Sequence, residues 1–178
     1  MPFRLHRFLD NLRDQISSNV QEKLLQNFAP FGSLMTSTQT AEWIKRLMDD
    51  LSIEIGVENA KVVMEACGRQ CIGSSVIEKA RLLSDSSHDI DELLIKLNQA
   101  HIGGGKLRRE NDVIYACYER CYCGSVSKTQ LPISTVYCEC SCGWYKKLFE
   151  AVIDKPVRVE LIDSIIHGAD ICQFIIYL

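Results

Sequence analysis

Through the first half of the chain the apolar positions recur every three or four residues, and beyond it the spacing shortens to two. Leu5, Leu9, Leu12, Ile16, Val20 and Leu24 form one stripe, which predicts a long amphipathic helix ending before Pro30 and Gly32. A second helix is expected from about Thr40 to Gly56, with Trp43, Ile44, Leu47, Met48 and Leu51 on its apolar side. A third follows Val57 and Glu58 and carries Val62, Val63, Ala66 and Cys67. Ser75 with Glu78, and Asp89 with Glu92, have capping-box spacing and open a fourth and a fifth. Stripes of this kind are core positions before they are cofactor contacts.

Gly103, Gly104 and Gly105 mark a change. The run lacks the Lys-Ser/Thr ending of a phosphate loop and no strand signal precedes it, so it reads as a flexible joint. It separates a helical region, residues 1–102, from a cysteine-rich α+β region, residues 103–178, that packs with the helices as one unit. Asn111 and Asp112 suit a hairpin turn between Leu107–Glu110 and Val113–Tyr118. Ile133 to Cys140 reads as a further strand, after which Ser141 caps a helix with Trp144, Tyr145, Leu148, Phe149 and Val152. Pro156 opens a strand through Val157, Val159 and Leu161, and Cys172, Phe174 and Ile176 alternate along the last one. The predicted fold is α+β: N-terminal helices on a small antiparallel sheet with one inserted helix.

Charge and composition narrow the partners. The net charge of -3 is spread over mixed signs and leaves no basic face for nucleic acid. No apolar run is long enough to span a bilayer, and the first residues lack the apolar block of a signal peptide. A cytoplasmic location is therefore expected, without a membrane partner, and thiols stay reduced there.

Nine cysteines then stand out. Cys67 and Cys71 are four apart and share a helix face if the third helix reaches them. Cys117, Cys121 and Cys123 share one side of an extended strand, as do Cys138 and Cys140. A hairpin would set Cys121 and Cys123 opposite Cys138 and Cys140, at roughly 5 Å between Cβ atoms. Four sulfurs at that spacing suit a disulfide or a tetrahedral zinc site, with Cys67 and Cys71 as replacements and an iron–sulfur cluster the weaker option. Cys142 is a separate candidate, because a thiol in the first turn of a helix feels the positive end of the dipole and becomes more acidic. Cys172 is read as core and Cys117 is left undecided. The histidines, His6, His88, His101 and His167, are scattered, and no Ser/His/Asp arrangement is readable.

The segment from Tyr137 to Leu178 resembles the end of the 4-vinyl reductase, or hydrocarbon-binding, domain, carried by Cys138, Cys140, Gly143, Val157, Val159, Glu160, Gly168, Cys172, Phe174 and Ile176. That resemblance implies a small-molecule-binding module related in fold to transport-particle subunits. Where that family often has a further cysteine, this chain has Ser164. The same stretch is similar to bacterial L-2-amino-thiazoline-4-carboxylic acid hydrolase-like proteins, which implies cysteine chemistry. The leading expectation is a small-molecule-binding or sensory protein with a zinc site near a pocket walled by Trp144, Tyr145 and Phe149. One alternative is a cysteine-dependent hydrolase of a small amino-acid-like substrate, with Cys142 as its thiol. The other is a structural domain that forms a homodimer through the long N-terminal helix.

Overall fold

The computed structural model describes residues 13–26, 36–124, 126 and 132–178, apart from the side chain of Leu25. Leu5, Leu9, Leu12 and His6 lie outside the described residues, so the first part of the expected long helix does too. Within the described part that helix is interrupted at Ile16 and Ser17 and restarts as α1, Ser18–Gln26. The Gln21 side-chain amide donates to the Ile16 carbonyl at 2.9 Å and so satisfies a carbonyl that the interrupted turn leaves open.

Helix α2, Ser37–Ile55, opens on a capping box: Thr36 Oγ1 accepts from Gln39 N–H at 3.2 Å, and Gln39 Oε1 accepts from Thr36 N–H at 2.9 Å. Gly56, at φ 80, ends α2 and starts α3, Val57–Cys71, so the two helices meet at one residue. The Ser75–Glu78 box does not form, because α4, Ser74–Asp85, already contains both residues and starts at Gly73 without a side-chain cap. Helix α5, Ile90–Gln99, is capped by Asp89, which accepts from Glu92 N–H at 2.8 Å. Here Glu92 accepts from His88 N–H, one residue before the position a capping box would use.

The sheet has four antiparallel strands: β1, Arg108–Glu110; β2, Val113–Tyr118; β3, Arg158–Asp163; and β4, Cys172–Tyr177, in the order β1-β2-β4-β3. The hairpin turns at Asn111, whose φ of 55 is left-handed, and pairs Glu110 with Val113. Strand β4 pairs Ile176 with Ile114 of β2 and with Val159 of β3, placing three β-branched residues side by side on the buried face. The α+β architecture is therefore present. The further strand over Ile133–Cys140 is not. Thr135–Cys138 is a 3-10 turn that begins at Ser134 and runs straight into α6, Glu139–Ile153. Ile133, Val136 and Tyr137 are all buried, a spacing of three and then one that fits a helical turn as well as their β-forming side chains fit a strand. Ser141 is thus inside α6 and caps nothing.

Two apolar clusters result. Leu93, Leu94 and Leu97 of α5, Tyr145, Leu148 and Phe149 of α6, and Ile114, Phe174 and Ile176 of the sheet form one. Leu24, Trp43, Leu47, Met48, Leu51, Met64 and Tyr137 anchor the other, between α1, α2 and α3. Helices α3 and α6 cross along the seam between them. A Cβ at Gly68 would stand 2.8 Å from the Cys140 Cα and inside contact distance of its carbonyl oxygen. One at Gly143 would stand 3.0 Å from the Glu65 Cα and strike its carbonyl in the same way. The two backbones touch because both positions lack a side chain. The same seam carries ion pairs: Arg69 donates to both carboxylate oxygens of Glu150, at 2.6 and 2.9 Å, and Lys146 pairs with Glu65. These carboxylate contacts hold Arg69 above its usual range and Glu150 below it.

An ordinary helical glycine gains stability when changed to alanine, by about 0.5–1 kcal/mol. Gly68→Ala and Gly143→Ala should do the opposite and cost about 1–3 kcal/mol each, because the backbone opposite cannot retreat. Gly73→Ala, whose Cβ would meet only Ser75 Oγ at 3.8 Å, should shift stability by less than about 0.5 kcal/mol. Urea unfolding midpoints decide the matter: equal midpoints for the three variants would contradict the close crossing.

Candidate functional site

The end of α5 leads into a run of left-handed backbone. His101 is left-handed at φ 55, and Gly103, Gly104 and Gly105 follow at φ 76, 88 and 76. A side chain at Gly104 would run into the Cys117 carbonyl and come within 2.8 Å of the Tyr118 ring. The run is a packed turn, not a flexible joint. Asn98 closes it from both ends: its Nδ2 donates to the Leu107 carbonyl at 2.8 Å and its Oδ1 accepts from Leu107 N–H at 2.7 Å. Tyr145, fully buried, donates its hydroxyl to the Gly103 carbonyl at 3.1 Å. The turn is thereby fixed against the end of β2.

Between this turn, the end of α3 and the first turns of α6 lies a pocket of about 320 Å³. His101 and Tyr122 stand exposed at its mouth, the backbone of Gly103 and Gly104 forms one side, and Tyr118 and Trp144 supply half-buried aromatic walls. Cys71, Cys140 and Ser141 complete the lining. Tyr118 stacks on Tyr145 with ring centroids 5.7 Å apart and meets Tyr122 edge-on at 5.2 Å. Of the three wall residues expected from the sequence, Trp144 lines this pocket, whereas Tyr145 and Phe149 are fully buried and form the layer behind it. They are core because α6 turns that face toward β4, where Tyr145 packs on Phe174 at 5.1 Å. Sequence reasoning passed over His101, Tyr118 and Asn98. The signal for them was the glycine run, which no linker needs to place between a histidine and a hairpin. A second, wide-open groove of about 420 Å³ lies along α1, and its described lining, Arg13, Ser18, Gln21, Glu22 and Gln26, is polar.

The described cysteines are all free thiols. The hairpin expected to gather Cys121, Cys123, Cys138 and Cys140 is absent, because the second pair lies on a helical run. Two residues along a helix are about 200° apart around its axis, so Cys138 and Cys140 face different surroundings. The Cys140 backbone lies over Gly68 of α3 and Cys140 lines the pocket, while Cys138 is buried toward the region of Cys172. Cys67 is buried among α2 and α3 residues, and Cys71 reaches the pocket. Among the described residues, no group of three His, Cys, Asp or Glu side chains is placed to hold a metal ion. The zinc site expected at Cys67, Cys71, Cys121, Cys123, Cys138 and Cys140 thus finds no support among the described residues.

Electrostatics separates the thiols further. Burial pushes Cys138 up to about 12 and Cys140 well above the ordinary thiol range. Cys142 goes up as well, through burial and the Glu139 carboxylate. The helical run begins at Thr135, so Cys142 sits two turns in, beyond the reach of the dipole's positive end and only 1% exposed. It is not the acidic thiol its sequence position suggested. Cys172 is buried and raised for the same reason, with Ile165 N–H donating to its sulfur at 3.4 Å. Cys121 alone among these moves down, to about 7, through a hydrogen bond from the Cys123 thiol and a second from Cys123 N–H at 3.4 Å. Cys123 is correspondingly raised by giving that hydrogen bond and by burial.

Because the thiolate is the alkylated form, its rate follows the thiolate fraction upward with pH. Iodoacetamide should label Cys121 with half-maximal rate near pH 7, and should leave Cys140 and Cys142 untouched until the chain unfolds. Peptide mapping across pH 5 to 9 reads this. Fastest labelling at Cys142 would contradict it.

Comparison with other proteins gives three findings. No curated protein matches the chain. Among solved structures it is similar to the crystal structure of the phenol-responsive sensory domain of the transcription activator PoxR with phenol, at 15% identity and a TM-score of 0.47, covering 99% of this chain and 91% of that one. A family model matches residues 8–178. On that match the chain belongs to DUF6144, a family of unknown function.

Proposed function

We propose that this chain is a small-molecule-binding protein of the sensory kind, whose ligand is small, flat and largely apolar. The observation that carries the reading is the pocket at the end of β2. Its volume of about 320 Å³ falls in the range of ligand sites, which are concave, mostly apolar and provided with a few polar groups. Tyr118, Tyr122 and Trp144 offer ring faces and edges, while His101 and Ser141 offer polar atoms. A single aromatic ring with one hydroxyl or amine matches that supply. Rigidity supports binding as well: the Asn98–Leu107 pair and the Tyr145–Gly103 hydrogen bond hold the turn before any ligand arrives, which lowers the ordering cost of association. Binding is favoured over turnover, because Cys140, a half-buried thiol of the lining, is raised by desolvation toward its protonated form and serves as a wall atom. No helix among the described residues is long and apolar enough to cross a membrane.

Benzyl alcohol, indole and phenol are suitable probes, titrated calorimetrically into the reduced protein. At least one should saturate a single site. Ser141→Phe, which fills the pocket from the α6 side, should weaken that probe by tenfold or more, about 1.4 kcal/mol, without lowering the unfolding midpoint. Trp144→Ala should weaken it comparably. Absence of binding by all three probes, or binding indifferent to both substitutions, would overturn the reading.

A further inference from the structure

The loop that follows β2 carries two thiols that the pocket does not use. Cys121 and Cys123 flank Tyr122, and both are half-buried. Cys123 donates to the Cys121 sulfur twice, from its backbone N–H at 3.4 Å and from its own thiol. Such contacts stabilise negative charge on one sulfur while keeping the second beside it. Cys67, Cys138, Cys142 and Cys172 are each buried to 6% exposure or less. Cys121 is therefore accessible, hydrogen-bonded as an acceptor and already in contact with a second thiol. Residues 121–123 form neither helix nor strand, so their backbone can adjust to a bond between the two sulfurs without breaking a ladder.

We infer that Cys121 and Cys123 form an oxidation site, in which Cys121 reacts with a peroxide and Cys123 resolves the product into a disulfide. The steps balance. The Cys121 sulfur attacks one oxygen of hydrogen peroxide, the O–O bond breaks, and hydroxide leaves and takes up the proton Cys121 has shed. Cys121 is now a sulfenic acid, oxidised by two electrons, and the peroxide has become water plus that bound hydroxyl. The Cys123 sulfur then attacks the Cys121 sulfur, the S–O bond breaks, and the departing hydroxide takes the Cys123 thiol proton as a second water. In sum two thiols lose two hydrogens and one peroxide gives two waters. The inference is independent of the pocket's ligand.

Trypsin cuts after Arg120 and Lys128, so residues 121–128 form one peptide whose cysteines are Cys121 and Cys123 alone. The reduced full chain, treated with one equivalent of hydrogen peroxide and then alkylated, should yield that peptide unalkylated and about 2 Da lighter than its dithiol form. Its loss of alkylation should be about tenfold faster than that of any other cysteine peptide. In Cys123→Ser, dimedone should trap a sulfenic acid at Cys121, and in Cys121→Ser the peptide should stay reduced at the same dose. Earlier oxidation of another cysteine, or a cross-link from Cys121 to any residue other than Cys123, would overturn the proposal. So would a Cys123→Ser chain that accumulates no dimedone adduct at Cys121. The unmutated chain alone decides the first two outcomes, whatever the variants do to folding.

Discussion

Helices α3 and α6 meet at Gly68 and Gly143, where the backbone of each lies where a side chain of the other would be. Much of the molecule depends on that contact. Helix α3 belongs to the cluster built with α1 and α2, and α6 to the cluster built on the sheet, so the crossing is what joins the two. Interiors are close-packed, and a single methyl at either glycine would have to move a whole helix. The ion pairs Arg69–Glu150 and Lys146–Glu65 run along the same seam and fix its register. The crossing also brings Cys71, at the end of α3, beside Cys140, Ser141 and Trp144 at the start of α6, and these four line the pocket together.

A second constraint closes the other side. His101 and the three glycines can turn only because three of the four positions lack a side chain and the first is held left-handed. Asn98 mimics a strand partner for Leu107 and so ties the last turn of α5 to the approach of β1. Tyr145 spans the gap from the core side. Pocket walls thus come from backbone that is closely packed and aromatic rings that are stacked, and the mouth comes from the loop that carries Tyr122. That loop also carries Cys121 and Cys123, so the thiol chemistry and the ligand wall share three consecutive residues.

Much of the fold was legible from periodicity. The stripe Trp43, Ile44, Leu47, Met48, Leu51 is buried along α2 as its spacing requires, and Cys172, Phe174 and Ile176 alternate inward along β4. The hairpin turn at Asn111 and Asp112 followed from residue types that tolerate it. What misled was Ile133 to Cys140, where β-branched side chains argued for a strand while the buried positions followed a helical spacing set by tertiary contacts. That one segment carried the cysteine hairpin with it, and Cys142 moved from a helix start to a helix interior. The pocket was hidden for a related reason. Trp144, Tyr145 and Phe149 share a helix, but only packing against Phe174 decides which of them is core. His101 and Tyr118 come together through the glycine turn, which a one-dimensional pattern cannot place.

The central claim is that the space bounded by His101, Tyr118 and Trp144 is built to receive an aromatic molecule. A crystal structure of the reduced chain grown with indole tests it directly. Ring-shaped density is expected between Tyr118 and Trp144, with its polar atom toward His101 or Ser141, and the 98–107 turn unchanged. Indole seated elsewhere on the surface, or the same space filled by the chain's own side chains, would contradict it.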